Sequence, residues 1–85
     1  MNYITKTVYG DFTAYYDQYN CWHRTDGPAR EYVNPLDSEW YLHGYLHRVD
    51  GPACIEFRKI KTYFLFGKQY NYREWNRRRK MLWLL

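Results

Sequence analysis

Apolar and polar positions recur with two different periods along this chain. Over residues 53–59, Ala53, Ile55 and Phe57 alternate with Cys54, Glu56 and Arg58. That is the period of two expected of a half-buried strand. A matching strand is expected over 29–33. Residues 4–9 and 12–16 flank the turn pair Gly10-Asp11 and read as a hairpin. Toward the end of the chain the period lengthens. Tyr72, Trp75, Arg79 and Leu82 fall at spacings of three, four and three, on one helical face, with the Arg79 stem able to lie on apolar surface. Asn71 stands where an N-cap belongs, so a short helix is expected over 71–83.

The pattern also repeats as sequence. His23-Arg24-Thr25-Asp26-Gly27-Pro28-Ala29 returns 24 residues later as His47-Arg48-Val49-Asp50-Gly51-Pro52-Ala53, identical at six of seven positions. Trp40-Tyr41-Leu42-His43-Gly44 precedes the second copy, and Tyr63-Phe64-Leu65-Phe66-Gly67 follows the same pattern 23 residues on. Residues 16–20 occupy that place before the first copy, with Asn20 where Gly44 and Gly67 stand. Glycine takes positive φ freely and asparagine is among the few others enriched there, so all three positions read as hairpin turns. Self-similarity at a fixed short period is the mark of a repeat architecture. Each unit is then an aromatic strand, a tight turn, a return segment, the HRxDGPA corner and a second strand. Pro35, within 34–37, marks the connecting loop of the first unit. The third unit lacks a corner, and the chain after Asn71 reads as a cap. The expected fold is mainly β: tandem antiparallel β-hairpin repeats forming one meandering sheet, capped by a short C-terminal α-helix. It is a single domain over 1–85, with an N-terminal hairpin in 1–20, HRxDGPA-type β repeats in 21–70 and the helix in 71–85.

Composition changes this picture in one respect. Eleven Tyr, four Trp and four Phe make up 22% of only 85 residues. Each ring can bury roughly 150–250 Å². Such rings can replace an aliphatic core in a chain of marginal size, or build a homo-oligomer interface. The net charge is +4, and Arg77, Arg78, Arg79 and Lys80 form an unbroken basic run. The run is either a solvated helix face or a contact for an anionic partner. Cys21 and Cys54 lack the spacing of a disulfide framework or a CxxC metal site, which suggests reduced thiols and a cytoplasmic protein. Residues 1–20 hold no apolar stretch of signal length, and no segment approaches the ~20 apolar residues of a spanning helix, so no membrane partner is expected.

Each residue type of the corner has a structural task open to it. Proline fixes its own φ and restricts the residue before it, giving a sharp bend after Gly27 and Gly51. Asp26 and Asp50 can accept backbone N–H groups or pair with Arg24 and Arg48. His23 and His47 can pack between aromatic rings. A functional reading uses the same groups. Two Arg and two His at fixed spacing can present basic groups along one sheet edge, with Trp40 and Tyr41 beside them for stacking. Candidate partner-binding residues are therefore His23, Arg24, Asp26, Trp40, Tyr41, His47, Arg48 and Asp50, together with Arg77, Arg78 and Arg79. No catalytic residue, cofactor or metal is expected. A duplicated His-Asp pair suggests architecture, and Ser38 sits in a loop without a local base. A metal set drawn from Cys21, His23, His43 and His47 matches no strong zinc spacing.

The two seven-residue corners, with Trp40-Tyr41-x-x-Gly44, Tyr63-Phe64-x-x-Gly67 and the short helix after the last turn, resemble the small HRxDGPA-repeat proteins of bacteriophages and large viruses. Their units are similar to MORN-type β-hairpin repeats, and the resemblance covers roughly residues 16–75. It implies a non-enzymatic viral accessory protein that acts by binding. The first expectation is therefore a phage-type protein that counteracts a bacterial defence system by sequestering a host immune protein or an anionic nucleotide signal. The alternatives are a nucleic-acid binding module using the 77–80 run and the aromatic faces, and a purely structural, oligomer-forming protein.

Overall fold

Nine strands and one helix follow one another in a computed structural model that describes residues 2–34 and 37–83, Trp83 in its backbone only. Pro35 and Leu36 of the expected loop lie outside the described residues, as do Met1, Leu84 and Leu85. Strand β1 (Thr5–Val8) and β2 (Phe12–Tyr16) form the N-terminal hairpin, closed by the Tyr9 N–H donating to the Phe12 carbonyl at 2.8 Å. Then come β3 (Arg30–Tyr32), β4 (Ser38–Glu39), β5 (Tyr41–Leu42), β6 (Tyr45–Leu46), β7 (Cys54–Glu56), β8 (Ile60–Leu65), β9 (Lys68–Tyr70) and α1 (Tyr72–Trp83). The fold is mainly β. Seven strands form one antiparallel sheet in the order β1-β2-β3-β4-β7-β8-β9, and β5–β6 stands beside it as a separate two-stranded hairpin.

One rule explains this layout. A strand pairs first with the sheet and then bends away into its own hairpin. In β8 the first half, Ile60 to Thr62, pairs with β7, and the second half, Tyr63 to Leu65, pairs with β9. In the preceding unit the same path breaks at Trp40, leaving β4 on β7 and β5 on β6. The hairpins lie side by side, so each buries one flank of its neighbour, as repeats must when no single unit has a core.

The turns follow from residue type. Asn20, Gly44 and Gly67 have φ of 64°, 87° and 84°. His43 and Phe66, before the two glycines, are also positive, at 47° and 50°. Positive φ at both central residues is the type I′ requirement of a two-residue hairpin. The first hairpin has a longer loop, 18–20, closed by the Asp17 N–H on the Cys21 carbonyl. Tyr19, His43 and Phe66 are therefore equivalent positions in three successive hairpin tips.

Two expectations need correction. The strand expected over 53–59 stops at Glu56, because Phe57 and Arg58 take positive φ of 53° and 62° and turn the chain into β8. The Arg58 N–H is held there by Asp37 Oδ1 at 2.9 Å, and Phe57 is 74% exposed rather than inward. The strand over 29–33 is likewise shorter, Arg30–Tyr32.

The core is thin. Ala14, Ala29 and Ala53 are fully buried, with Tyr15, Cys54, Leu65 and Trp75 nearly so. The molecule measures 36 × 29 × 17 Å, and broad rings close its faces. Arg30 spans two of them, its guanidinium 4.8 Å from Phe12 and 4.6 Å from Trp22 while Nη1 donates to Glu39 at 2.9 Å. Asn71 caps α1 through its Oδ1, which accepts the Glu74 N–H at 2.9 Å. Trp75 anchors the helix, its ring 4.7 Å from Tyr63 and its Nε1–H donating to the Arg48 carbonyl. Tyr72 lies at the rim of the expected apolar face, exposed and edge-on to Tyr63. Among the described residues no helix is long and apolar enough to cross a membrane.

Candidate functional site

The two corners are superimposable pieces of chemistry. In each, the Arg Nε donates to the Asp two residues on, at 2.9 Å for Arg24–Asp26 and 2.8 Å for Arg48–Asp50. In each, Nη1 reaches the proline carbonyl four residues on, Pro28 or Pro52. An aromatic ring covers each guanidinium, Tyr15 of β2 at 4.2 Å from Arg24 and Trp40, between β4 and β5, at 3.9 Å from Arg48. Gly27 and Gly51 are glycine because the guanidinium folds over them: a Cβ at either site would meet the Arg Cζ at 2.8 Å.

The histidines join one unit to the next. His23 Nδ1 accepts the backbone N–H of His43 at 2.9 Å, and His47 Nδ1 accepts that of Phe66 at 2.9 Å. Each imidazole also stacks on the ring of the residue it caps, at 3.9 Å for His23–His43 and 4.2 Å for His47–Phe66. Each corner therefore clips the tip of the following hairpin and supports a side chain in a backbone region it otherwise avoids. Burial holds both imidazoles below their usual pKa, with His43 adding to the effect at His23. The first hairpin has no preceding corner, and Asp17 does that work: its Oδ1 accepts the N–H groups of Tyr19 and Cys21, both at 2.9 Å. Its Oδ2 lies 2.7 Å from His43 Nδ1. These bonds, the Cys21 N–H foremost, hold the Asp17 carboxyl below the usual range.

Six of the candidate residues come together. Arg24, Trp40, Tyr41, His47, Arg48 and Asp50 line a groove of about 440 Å³ between the corners. His23 is buried and Asp26 is exposed, neither in the groove lining. The groove has aromatic walls but little free charge. Arg24 faces two carboxylates, Asp26 and Glu31, the latter at 2.6 Å, and Arg48 faces Asp50. Burial also raises the Tyr41 hydroxyl to about 12, so it stays protonated.

The basic run is divided by the helix. Arg77 and Arg78 are exposed and share Glu74, at 2.6 and 2.7 Å, and Arg77 chiefly lowers that carboxyl's pKa. Arg79 turns inward to Asn76 Oδ1 and the Val49 carbonyl, its guanidinium 5.1 Å from Trp75. Arg78 instead lies 4.8 Å from the Tyr70 ring, at a second cleft of about 490 Å³. Leu65, Phe66, Tyr70, Met81 and Leu82 give that cleft its apolar floor, with Lys68 and Arg78 among its lining residues. Phe66 and Met81 are each 57% exposed.

Charge is segregated along the chain. Residues 51–85 carry nine Lys and Arg against two acidic residues, while residues 1–50 carry four against seven. The halves are therefore +7 and −3, a contrast that the total of +4 conceals. The second cleft lies in the cationic half.

Burial raises the Cys54 thiol to about 11, so it is no thiolate at neutral pH, and Ser38 is buried in β4. Among the described residues no group of three or more His, Cys, Asp or Glu is placed to hold a metal ion. No family model matches the chain, and no curated protein or solved structure matches it either.

Proposed function

We propose that this chain is a non-enzymatic binding protein that acts by sequestration, and that its contact surface is the cationic half formed by β8, β9 and α1. The observation that carries this reading is an apolar cleft lined in part by Arg78 and Lys68, in the half of the chain whose charges sum to +7. An apolar floor with cations beside it suits a protein target. A desolvated anchor side chain supplies affinity, and acidic residues around it supply encounter rate and orientation. The HRxDGPA resemblance supports a host immune protein of a bacterial defence system as that target. An anionic nucleotide in the groove between the corners is the weaker version, because Arg24 and Arg48 already spend their Nε and Nη1 groups on internal acceptors.

A nucleic-acid partner is the second reading, supported by the exposed cations Arg73, Arg77 and Lys80 on α1 with Lys59 and Lys61 near the β7–β8 turn. Two measurements separate the readings. Titration with single- and double-stranded oligonucleotides across a salt series reads nucleic-acid binding, which weakens steeply with salt. Capture from host lysate, repeated with Lys68→Glu/Arg78→Glu at the cleft, reads protein binding. The expected result is one acidic protein retained stoichiometrically by the wild type and weakened roughly tenfold or more in the variant, at unchanged melting temperature. Salt-dependent oligonucleotide binding with no protein retained would replace the proposal with the second reading.

A further inference from the structure

The two ends of the hairpin row are complementary to each other. Within the chain, every joint between units has the same three parts. A ring at the tip of the later hairpin stacks on the side chain at the corner-histidine position of the earlier unit, as in His43 on His23 and Phe66 on His47. The turn glycine of the later hairpin packs against the residue that follows the earlier turn: a Cβ at Gly44 would lie 3.4 Å from Cys21 Cβ, and one at Gly67 2.9 Å from the Tyr45 ring. The tip N–H is capped.

The first and last units each hold half of such a joint. Counting back 24 residues from His43 places Tyr19 at the first tip, where it is 78% exposed, with no corner histidine against it among the described residues. Counting on 23 residues from His47 places Tyr70 at the histidine position of the third unit, where it lines the cleft beside Phe66 and Met81 with the Arg78 guanidinium 4.8 Å from its ring. Lys68 is the residue after the third turn, and Asn20 stands where the later unit's turn glycine stands in the internal joints. The missing imidazole is no obstacle, since Asp17 already caps the Tyr19 N–H within its own hairpin. Helix α1 covers the base of the last hairpin, where Leu65 is 5% exposed, and leaves its tip open at Phe66. The head and the cleft lie in halves of the chain whose charges sum to −3 and +7, and Asp17, the acid nearest Tyr19, is buried against His43.

We infer that the chain associates with itself head to tail, Tyr19 of one copy entering the Tyr70–Met81 cleft of the next. The interface is heterologous, so it leaves one free head and one free tail and continues beyond the dimer unless it closes into a ring. A second copy and the proposed target would compete for this one cleft, and the association is read on the purified chain alone, so its failure and that of the binding proposal are distinguished.

Sedimentation analysis over a wide concentration range tests it with two surface variants. Tyr19→Lys puts a cation on the head, and Met81→Glu puts a carboxylate in the tail cleft. Both sites are exposed, and equal melting temperatures show that the fold is kept. The wild type is expected to grow past the dimer with concentration and to shrink as salt rises. Each variant alone is expected to be monomeric. An equimolar mixture is expected to form a heterodimer and stop there, because one intact head meets one intact tail. A wild type that stays monomeric at every concentration overturns the inference. A dimer that neither variant disrupts, or variants that fail to complement in the mixture, overturns it equally.

Discussion

Replacing His47 by alanine tests the clip between the second and third units. The substitution removes the Nδ1 acceptor of the Phe66 N–H at 2.9 Å and the ring stacked on Phe66 at 4.2 Å. A hydrogen bond of this kind contributes about 0.5–1.5 kcal/mol net, and the N–H lies where water can partly replace the acceptor. A ring pair contributes a further ~0.5–1.5 kcal/mol beyond its buried area. Phe66 then holds its φ of 50° without support, in a region that costs a side-chain-bearing residue roughly 1–2 kcal/mol. The expected loss is about 2 kcal/mol. At ~4–8 °C per kcal/mol for a domain of this size, the melting temperature falls by about 8–16 °C. His47→Phe keeps a ring and deletes the acceptor, so it is expected to lose roughly half as much. Thermal and urea unfolding followed by circular dichroism at neutral pH read both. A His47→Ala melting point within ~2 °C of wild type would refute the clip, since neither contribution could then be real.

Stability is also expected to depend on pH through the same two histidines. Burial lowers the folded pKa of both, so the unfolded chain binds protons first. Their contribution is fully present above the ordinary His value near 6.5 and is lost as pH falls below it toward the lower folded values. Urea titrations from about pH 8 to 5 should show this slope, and His23→Phe/His47→Phe should flatten it. Gly67→Ala places a Cβ 2.9 Å from the Tyr45 ring at a φ of +84° and should cost ~1–3 kcal/mol in urea unfolding. Gly10→Ala meets nothing within 4 Å and should stay within ~0.5 kcal/mol. Trp75→Phe removes the Nε1–H bond to the Arg48 carbonyl and should cost ~1–2 kcal/mol, with faster hydrogen exchange in α1 as the specific readout.

Local chemistry was legible in the sequence wherever it was carried by adjacent residues. Asn20, Gly44 and Gly67 announce their turns because few residues tolerate positive φ, and Asn71 announces the helix because only a short polar side chain caps it well. The Arg–Asp pairing could also be read, since a single residue separates its partners. The role of the histidines could not. His23 and His47 act on backbone groups 20 and 19 residues away, and nothing near them in the chain marks an amide that needs an acceptor. The end of β7 was hidden for a related reason: Phe57 continues an apolar alternation, but Asp37 holds the Arg58 N–H from across the loop. Asp17 was missed because it resembles no corner, although it performs a corner's task. Charge segregation needed no structure. Counting the halves of the chain separately would have found it, and would have moved attention from the corners to the C-terminal cleft.

The HRxDGPA histidine is a clip between repeats. The most direct test is the scalar coupling across its N–H···N hydrogen bond, measured in uniformly ¹⁵N-labelled protein between the amide nitrogen of Phe66 and Nδ1 of His47, and between that of His43 and Nδ1 of His23. Both couplings are expected at neutral pH, with each imidazole carrying its proton on Nε2, and both should vanish as acid protonates Nδ1. Resolved signals with no coupling, or imidazoles protonated at Nδ1 at neutral pH, would contradict the clip.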